Sequence, residues 1–222
     1  MRVLELGTGV GHVAFQLAAL VGPSGSVVAI DQAAPLLAVA ESRRSAGDVE
    51  NVVFAEGDAR EFRDAEPFDA VVARLLLFHL PDAGDVVRHH AAGLRPEGVW
   101  VALDFDVGGA RAEPEVALVS TLLEWVETAF RGAGADPRIG ARLASLLRDA
   151  SLSDVSTFGI QPYLSPDTPP GAGLLADVVR ALAKPITAAG LATEAELEVD
   201  TLEERIDGAL RDAHAVLVAP TL

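Results

Sequence analysis

The strongest constraint on the fold is an alternation, through the first 106 residues, between short apolar runs and helix-like segments. Residues 2–6, 26–30, 52–55, 70–73 and 99–103 have the composition of strands, and residues 10–21, 35–46 and 82–94 that of helices. Breakers punctuate the pattern: Gly22-Pro23-Ser24-Gly25 closes the first helix, Gly47 follows the second, and Arg95-Pro96-Glu97-Gly98 follows the third. Runs such as Val27-Val28-Ala29-Ile30 and Ala70-Val71-Val72-Ala73 have no polar alternation, which fits strands covered on both faces. Strands separated by single helices pair in parallel through right-handed crossovers. The expected fold is therefore α/β, a doubly wound and mostly parallel sheet.

After Asp106 the rhythm changes. Residues 115–130 and 139–150 read as helices, 154–160 as a sixth strand, and 174–183 and 201–214 as further helices beyond a proline-marked loop. A chain of 222 residues suits one domain, with 1–106 as its core and 107–222 as a helical elaboration with C-terminal strands. Seventeen Lys and Arg against 33 Asp and Glu give a net charge of −16, which argues against nucleic acid as a partner because no basic surplus replaces counterions. The lone lysine, Lys184, leaves one candidate for Schiff-base chemistry, and the absence of Cys excludes thiolate sites and disulfides. Glu5 interrupts any secretory apolar stretch and Arg74 splits the apolar runs around it, so neither a leader nor a membrane span is expected and the default location is cytoplasmic.

The stretch Glu5-Leu6-Gly7-Thr8-Gly9-Val10-Gly11 lies where the first strand turns into the first helix. Glycines there let backbone approach a ligand closely and permit positive φ. A dinucleotide fingerprint places its third glycine one residue later, at a position occupied by His12. A carboxylate at Glu5 would repel a diphosphate but suits a ligand bearing an ammonium group.

These residues resemble the first motif of the class I S-adenosylmethionine-dependent methyltransferases, a Rossmann-like family, and the resemblance extends through about the first 106 residues. It implies that Glu5, Gly7, Thr8, Gly9 and Gly11 cradle the methionine moiety of S-adenosylmethionine, whose product is S-adenosylhomocysteine. Asp31, twenty residues after Gly11 and followed by Gln32, then takes the ribose hydroxyls. Gly57-Asp58-Ala59 resembles the family's adenine-binding turn, with Asp58 accepting from the exocyclic amine and the Ala59 N–H meeting a ring nitrogen. The segments Phe68-Asp69-Ala70-Val71-Val72 and Leu94-Arg95-Pro96-Glu97-Gly98 match those around the fourth strand and before the fifth.

The implied activity is methyl transfer to a small organic acceptor. The alternative is a non-methylating descendant, either a cofactor-binding module or a cyclase or isomerase. Arg74 borders the cofactor at the end of the fourth strand, and His79 beyond it is the candidate base, its alternative role being to pack or line the pocket. Asp104 and Asp106 face one way if extended, but no third acid accompanies them and no metal site is assigned. His89 and His90 lack i,i+4 spacing, and a solvated helix face is expected there. Leu122, Trp125, Val126, Ala129 and Phe130 form an apolar stripe, read as core ahead of an acceptor wall.

Two departures from the family stand out. The motif begins at Val3, with no room for helices ahead of it, and Pro220 interrupts the final strand. A fragment, a homo-oligomer whose second subunit supplies the cover, and a chain that has lost catalysis all fit this pattern. Ser151 occupies a helix stop where glycine is usual.

Overall fold

In the computed structural model, which describes residues 1–222, the N-terminal alternation becomes a five-stranded sheet. In chain order the elements are β1 (Arg2–Leu6), α1 (His12–Val21), β2 (Ser26–Asp31), α2 (Ala34–Ala46), β3 (Val52–Glu56), β4 (Phe68–Arg74), α3 (Ala83–Ala91) and β5 (Leu94–Leu103). The strand order is β3-β2-β1-β4-β5 and every pairing is parallel, so all five C-terminal ends lie at one edge. Chain direction across the sheet reverses between β1 and β4, the switch point at which such sheets bind ligands. The doubly wound architecture expected from the alternation is thus present.

Two compact units make up the chain. The first comprises Met1–Asp104 and Arg142–Thr157, the second Phe105–Ala141 and Phe158–Leu222. In the first, Val3, Val27, Val52 and Ala70 pack with Ala14 and Ala18 of α1, which is why those strand positions carry no polar residue. The end of α1 is fixed by Asn51, whose side-chain N–H groups donate to the carbonyls of Ala18 and Gly22 at 3.0 and 2.9 Å. Gly47 caps α2 with an ordinary negative φ, and Asp48 takes the left-handed conformation instead, at φ 51°. Ser151 does adopt the glycine-like geometry, at φ 64°, just after the helix Leu143–Asp149.

The second unit and the returning segment hold β6 (Arg111–Glu113), α4 (Ala117–Gly132), α5 (Leu143–Asp149, part of the first unit), β7 (Tyr163–Leu164), α6 (Gly173–Ala181), α7 (Ala183–Ala188), α8 (Glu194–Leu197), α9 (Leu202–Asp212) and β8 (Val216–Val218). The core of the second unit gathers Leu122, Val126 and Ala129 of α4 with Val179, Ile186, Ile206 and Leu210, and Trp125 and Phe130 pack against it. The apolar stripe of α4 is therefore core. Truncating Ile206 to Ala would cost about 2–5 kcal/mol by opening a cavity there.

Three sequence expectations change. No strand covers 154–160: Asp154 is left-handed at φ 53°, most of residues 155–160 are exposed, and only Ile160 exchanges backbone bonds, with Leu222. The third helix ends at Ala91, and β5 begins at Leu94 because Leu94 pairs with Phe68. The breakers Arg95–Gly98 then form a bulge before Val99 resumes pairing with Ala70, with Glu97 at φ 64°. At the C-terminus β8 stops before Pro220 and lies in a separate antiparallel sheet, β6-β8-β7. Thr221 still exchanges two backbone bonds with Asp106.

Candidate functional site

The loops leaving β1, β2 and β3 are tied together by backbone donors. The Thr8 N–H donates to the Ile30 carbonyl at 3.0 Å and the Gly57 N–H to the Asp31 carbonyl at 3.0 Å. Asp31 accepts from the Gly9 N–H through Oδ2 at 2.8 Å and from the Ala33 N–H through Oδ1 at 2.9 Å. Three motifs far apart in sequence thereby meet at one point on the sheet edge. The Asp31 carboxylate is half-buried and fixed by two donors, and each oxygen retains a lone pair for a hydroxyl.

Glycine is required in the first loop for different reasons at different positions. Gly7 has φ 70°, and a Cβ there would stand 2.9 Å from Cδ1 of Leu76. Gly9 has φ 55°, and a Cβ there would meet nothing within 4 Å. Gly9 is thus a left-handed glycine with open space beside it, next to the immobilised carboxylate of Asp31. Gly11 begins α1 at φ 81° and lies close against Phe54 and Phe15.

Glu5, 3% exposed, accepts from the Thr8 hydroxyl at 2.7 Å. Burial pushes its carboxyl up to about 7, the Thr8 bond opposes this, the nearby charge of Asp31 adds to it, and Arg74 draws it back down. A buried carboxyl poised near neutrality gains its charge readily when a cation arrives. Arg74 is exposed at the end of β4, in register with Leu103. Leu75 follows at φ 54°, an unusual conformation for a branched residue, held by its N–H donating to the Leu103 carbonyl at 2.9 Å.

A single 3-10 turn, Leu77–His79, comes next, and the Phe78 N–H donates to Oδ2 of Asp104 at 3.0 Å. Asp104, 3% exposed, thus anchors the turn that carries His79, a role sequence reasoning missed. The His79 ring is exposed and edge-on to Phe78, with centroids 4.7 Å apart. Asp106 instead caps the turn after it through the Gly108 N–H, so the two acids do not act as a pair. No group of three or more His, Asp or Glu residues is placed to hold a metal ion.

Gln32 is exposed and Asp58 half-buried. Asp58 accepts from the Arg60 N–H at 2.8 Å, and the Arg60 guanidinium bridges Asp58 and Asp82 at 3.5 and 3.1 Å. Ala59 is buried, its carbonyl accepting from Nε2 of His90 at 2.7 Å. The solvated face expected at His89-His90 is corrected by this contact: His90 is 4% exposed, because α3 turns it toward a loop whose carbonyl needs a donor.

A family model described as a methyltransferase domain matches residues 1–134. The chain belongs to that methyltransferase family. Among curated relatives, the malonyl-[acyl-carrier protein] O-methyltransferase of Bacillus anthracis is 33% identical over 105 residues, 47% of this chain and 38% of that protein. The ubiquinone/menaquinone biosynthesis C-methyltransferase of Pseudomonas fluorescens is 31% identical over 132 residues, 58% of this chain and 49% of that one. The chain thus spans about two fifths to one half of the length of these relatives. A solved structure, the YcgJ protein of Bacillus subtilis, superposes with a TM-score of 0.61 at 19% identity, covering 99% of this chain and 88% of that one, a likeness of fold. The match to the family model includes every residue of the glycine turn, Asp31 and the Asp58 loop. No helix is long and apolar enough to cross a membrane.

Proposed function

We propose that this chain binds S-adenosylmethionine and transfers its methyl group to a small organic acceptor. The observation that carries the reading is the junction of Gly9, Asp31 and Gly57, where open space at a left-handed glycine adjoins a carboxylate already fixed by two backbone donors. The arrangement suits the proposed ligand part by part. Glu5 offers a buried acid to an ammonium group, Asp31 offers free lone pairs to a vicinal diol, and Asp58 with the Ala59 N–H offers an acceptor and a donor to an aminopurine edge. When bound, the sulfonium supplies an electrophilic methyl and leaves as a neutral thioether.

The chain's own contribution is then alignment, exclusion of water and proton removal. Leu76, packed against Gly7, walls the side of the cradle next to β4. His79, on the turn anchored by Asp104, is the group proposed to take a proton from a hydroxyl or amine acceptor. The net charge of −16 disfavours a polyanionic acceptor. By name, one relative is a malonyl-[acyl-carrier protein] O-methyltransferase and another a C-methyltransferase of ubiquinone/menaquinone biosynthesis, so the atom that receives the methyl differs between them. Calorimetric titration of the folded chain with S-adenosylmethionine and with S-adenosylhomocysteine tests the reading. Saturable binding of both at one site is expected, and no heat from either ligand would refute it.

A further inference from the structure

Helix α3 grips the loop after β3 along its whole length, and nothing in the proposed chemistry uses that grip. Residues 58–62 form one turn, in which the Phe62 N–H donates to the Asp58 carbonyl at 2.8 Å. A single turn leaves its later carbonyls without backbone donors. Two of these carbonyls are met by imidazoles from adjacent positions on α3: Nε2 of His90 reaches the Ala59 carbonyl at 2.7 Å, and Nε2 of His89 reaches the Phe62 carbonyl at 2.8 Å. The rings stand edge to face, 4.8 Å between centroids. At the other end of the helix, Asp82, its N-cap residue, holds Arg60 at 3.1 Å.

The hydrogen bonds fix the tautomers. A carbonyl only accepts, so each Nε2 carries a proton. Nδ1 of His89 faces the Arg63 guanidinium at 3.2 Å, which only donates, so that nitrogen is bare and the ring neutral. His90 is kept neutral by burial, which pushes it down to about 4 against the pull of the Ala59 carbonyl.

We infer that His90, assisted by His89, is a positioning residue for the purine end of the donor: by holding the Ala59 and Phe62 carbonyls it sets the height and tilt of the Asp58–Ala59 edge that meets the base. The inference rests on the donor site proposed above. It follows from where the bonds fall. The Ala59 carbonyl belongs to the residue whose N–H is offered to the ring, and Asp58, one residue earlier, is half-buried, its carboxylate held only by the Arg60 N–H and guanidinium of the same turn. The Ala59 carbonyl shares its peptide with the Arg60 N–H that holds the Asp58 carboxylate, and the Ala59 N–H is on the peptide just before it, so releasing the carbonyl loosens the turn and misaligns acceptor and donor together.

The test compares wild type with His90→Leu, which removes the donor, His90→Gln, which keeps an N–H at similar reach, and His89→Leu. Binding of S-adenosylhomocysteine and of its 6-oxo counterpart, S-inosylhomocysteine, is measured by calorimetry, with circular dichroism and thermal melts as the folding control. His90→Leu is expected to weaken S-adenosylhomocysteine about tenfold and to shrink the preference over the inosyl compound, while His90→Gln restores both. His89→Leu, at a half-buried position less enclosed than His90, is expected to move affinity and preference the same way by about threefold. A folded His90→Leu protein with wild-type affinity and preference would overturn the inference and leave the donor site standing, as would a His90→Gln protein no better than His90→Leu. If His90→Leu does not fold, an unchanged preference in His89→Leu decides against it. Wild type binding neither compound would remove the donor site itself, and the inference with it.

Discussion

Replacing Glu5 by Gln isolates one consequence of the buried acid, a stability difference that depends on pH in a calculable way. In the folded chain the Glu5 carboxyl is raised from 4.5 to about 7, burial being the largest cause. The fold therefore prefers the protonated form. The stabilisation this represents is fully present below pH 4.5 and is lost as pH rises through 7. At about 1.4 kcal/mol per unit, the interval corresponds to about 3 kcal/mol. Glutamine has nearly the same shape, its amide oxygen can accept from the Thr8 hydroxyl, and it does not titrate. The stability of Glu5→Gln relative to wild type should thus be near zero at pH 4.5 and grow with pH, levelling at about 3 kcal/mol in favour of the variant by pH 8. Urea unfolding of both proteins at pH 5, 6, 7 and 8 reads this directly. Asp64, Asp69 and Glu196, which are held below the ordinary carboxylate range by hydrogen bonds, titrate alike in both proteins and cancel in the difference. A gap that stays constant across this range, or a variant less stable at pH 8, would refute a buried and largely neutral Glu5.

Other substitutions separate the roles in the cradle. Gly11→Ala should destabilise by about 2–4 kcal/mol, because a Cβ at φ 81° would stand 2.8 Å from the Phe54 ring, and thermal melts will show it. Gly9→Ala should melt within about 1–2 kcal/mol of wild type but lose S-adenosylhomocysteine affinity in calorimetry, since its Cβ would project into the open space of the site. Asp31→Ala should weaken the same ligand by about 1.5–3 kcal/mol, and wild-type affinity in that variant would end the assignment of Asp31 to the ribose. His79→Ala should lower methyl transfer from labelled donor while sparing donor affinity, and unchanged turnover would retire it as base.

Most of the first unit was legible in the sequence because its constraints are positional. A left-handed backbone at three alternate residues demands glycine at each, a strand-end carboxylate facing backbone N–H groups demands Asp at 31, and strands covered on both faces demand unbroken apolar runs. What stayed hidden depends on contacts across long separations. Nothing local to His90 shows that Ala59 lies opposite it, 31 residues earlier, nor does Asp104 announce that it will hold the Phe78 N–H, 26 residues away. Residues 154–160 misled because strand-like composition says that a segment can extend, not that an edge with free donors is waiting for it.

The same distinction bears on which parts of the chain tolerate change. In the glycine turn and at Asp31, substitution is restricted to residues that reproduce a left-handed φ or an acceptor for the Gly9 and Ala33 N–H groups. In the second unit, Leu122, Val126, Ile186, Ile206 and Leu210 answer only to volume and apolarity, and many other residues satisfy those conditions. Divergence is therefore cheapest in the second unit. On the proposed reading, a change of acceptor requires no change at Glu5, Asp31 or Asp58, whose bonds are made within the first unit, while the second unit is free to vary.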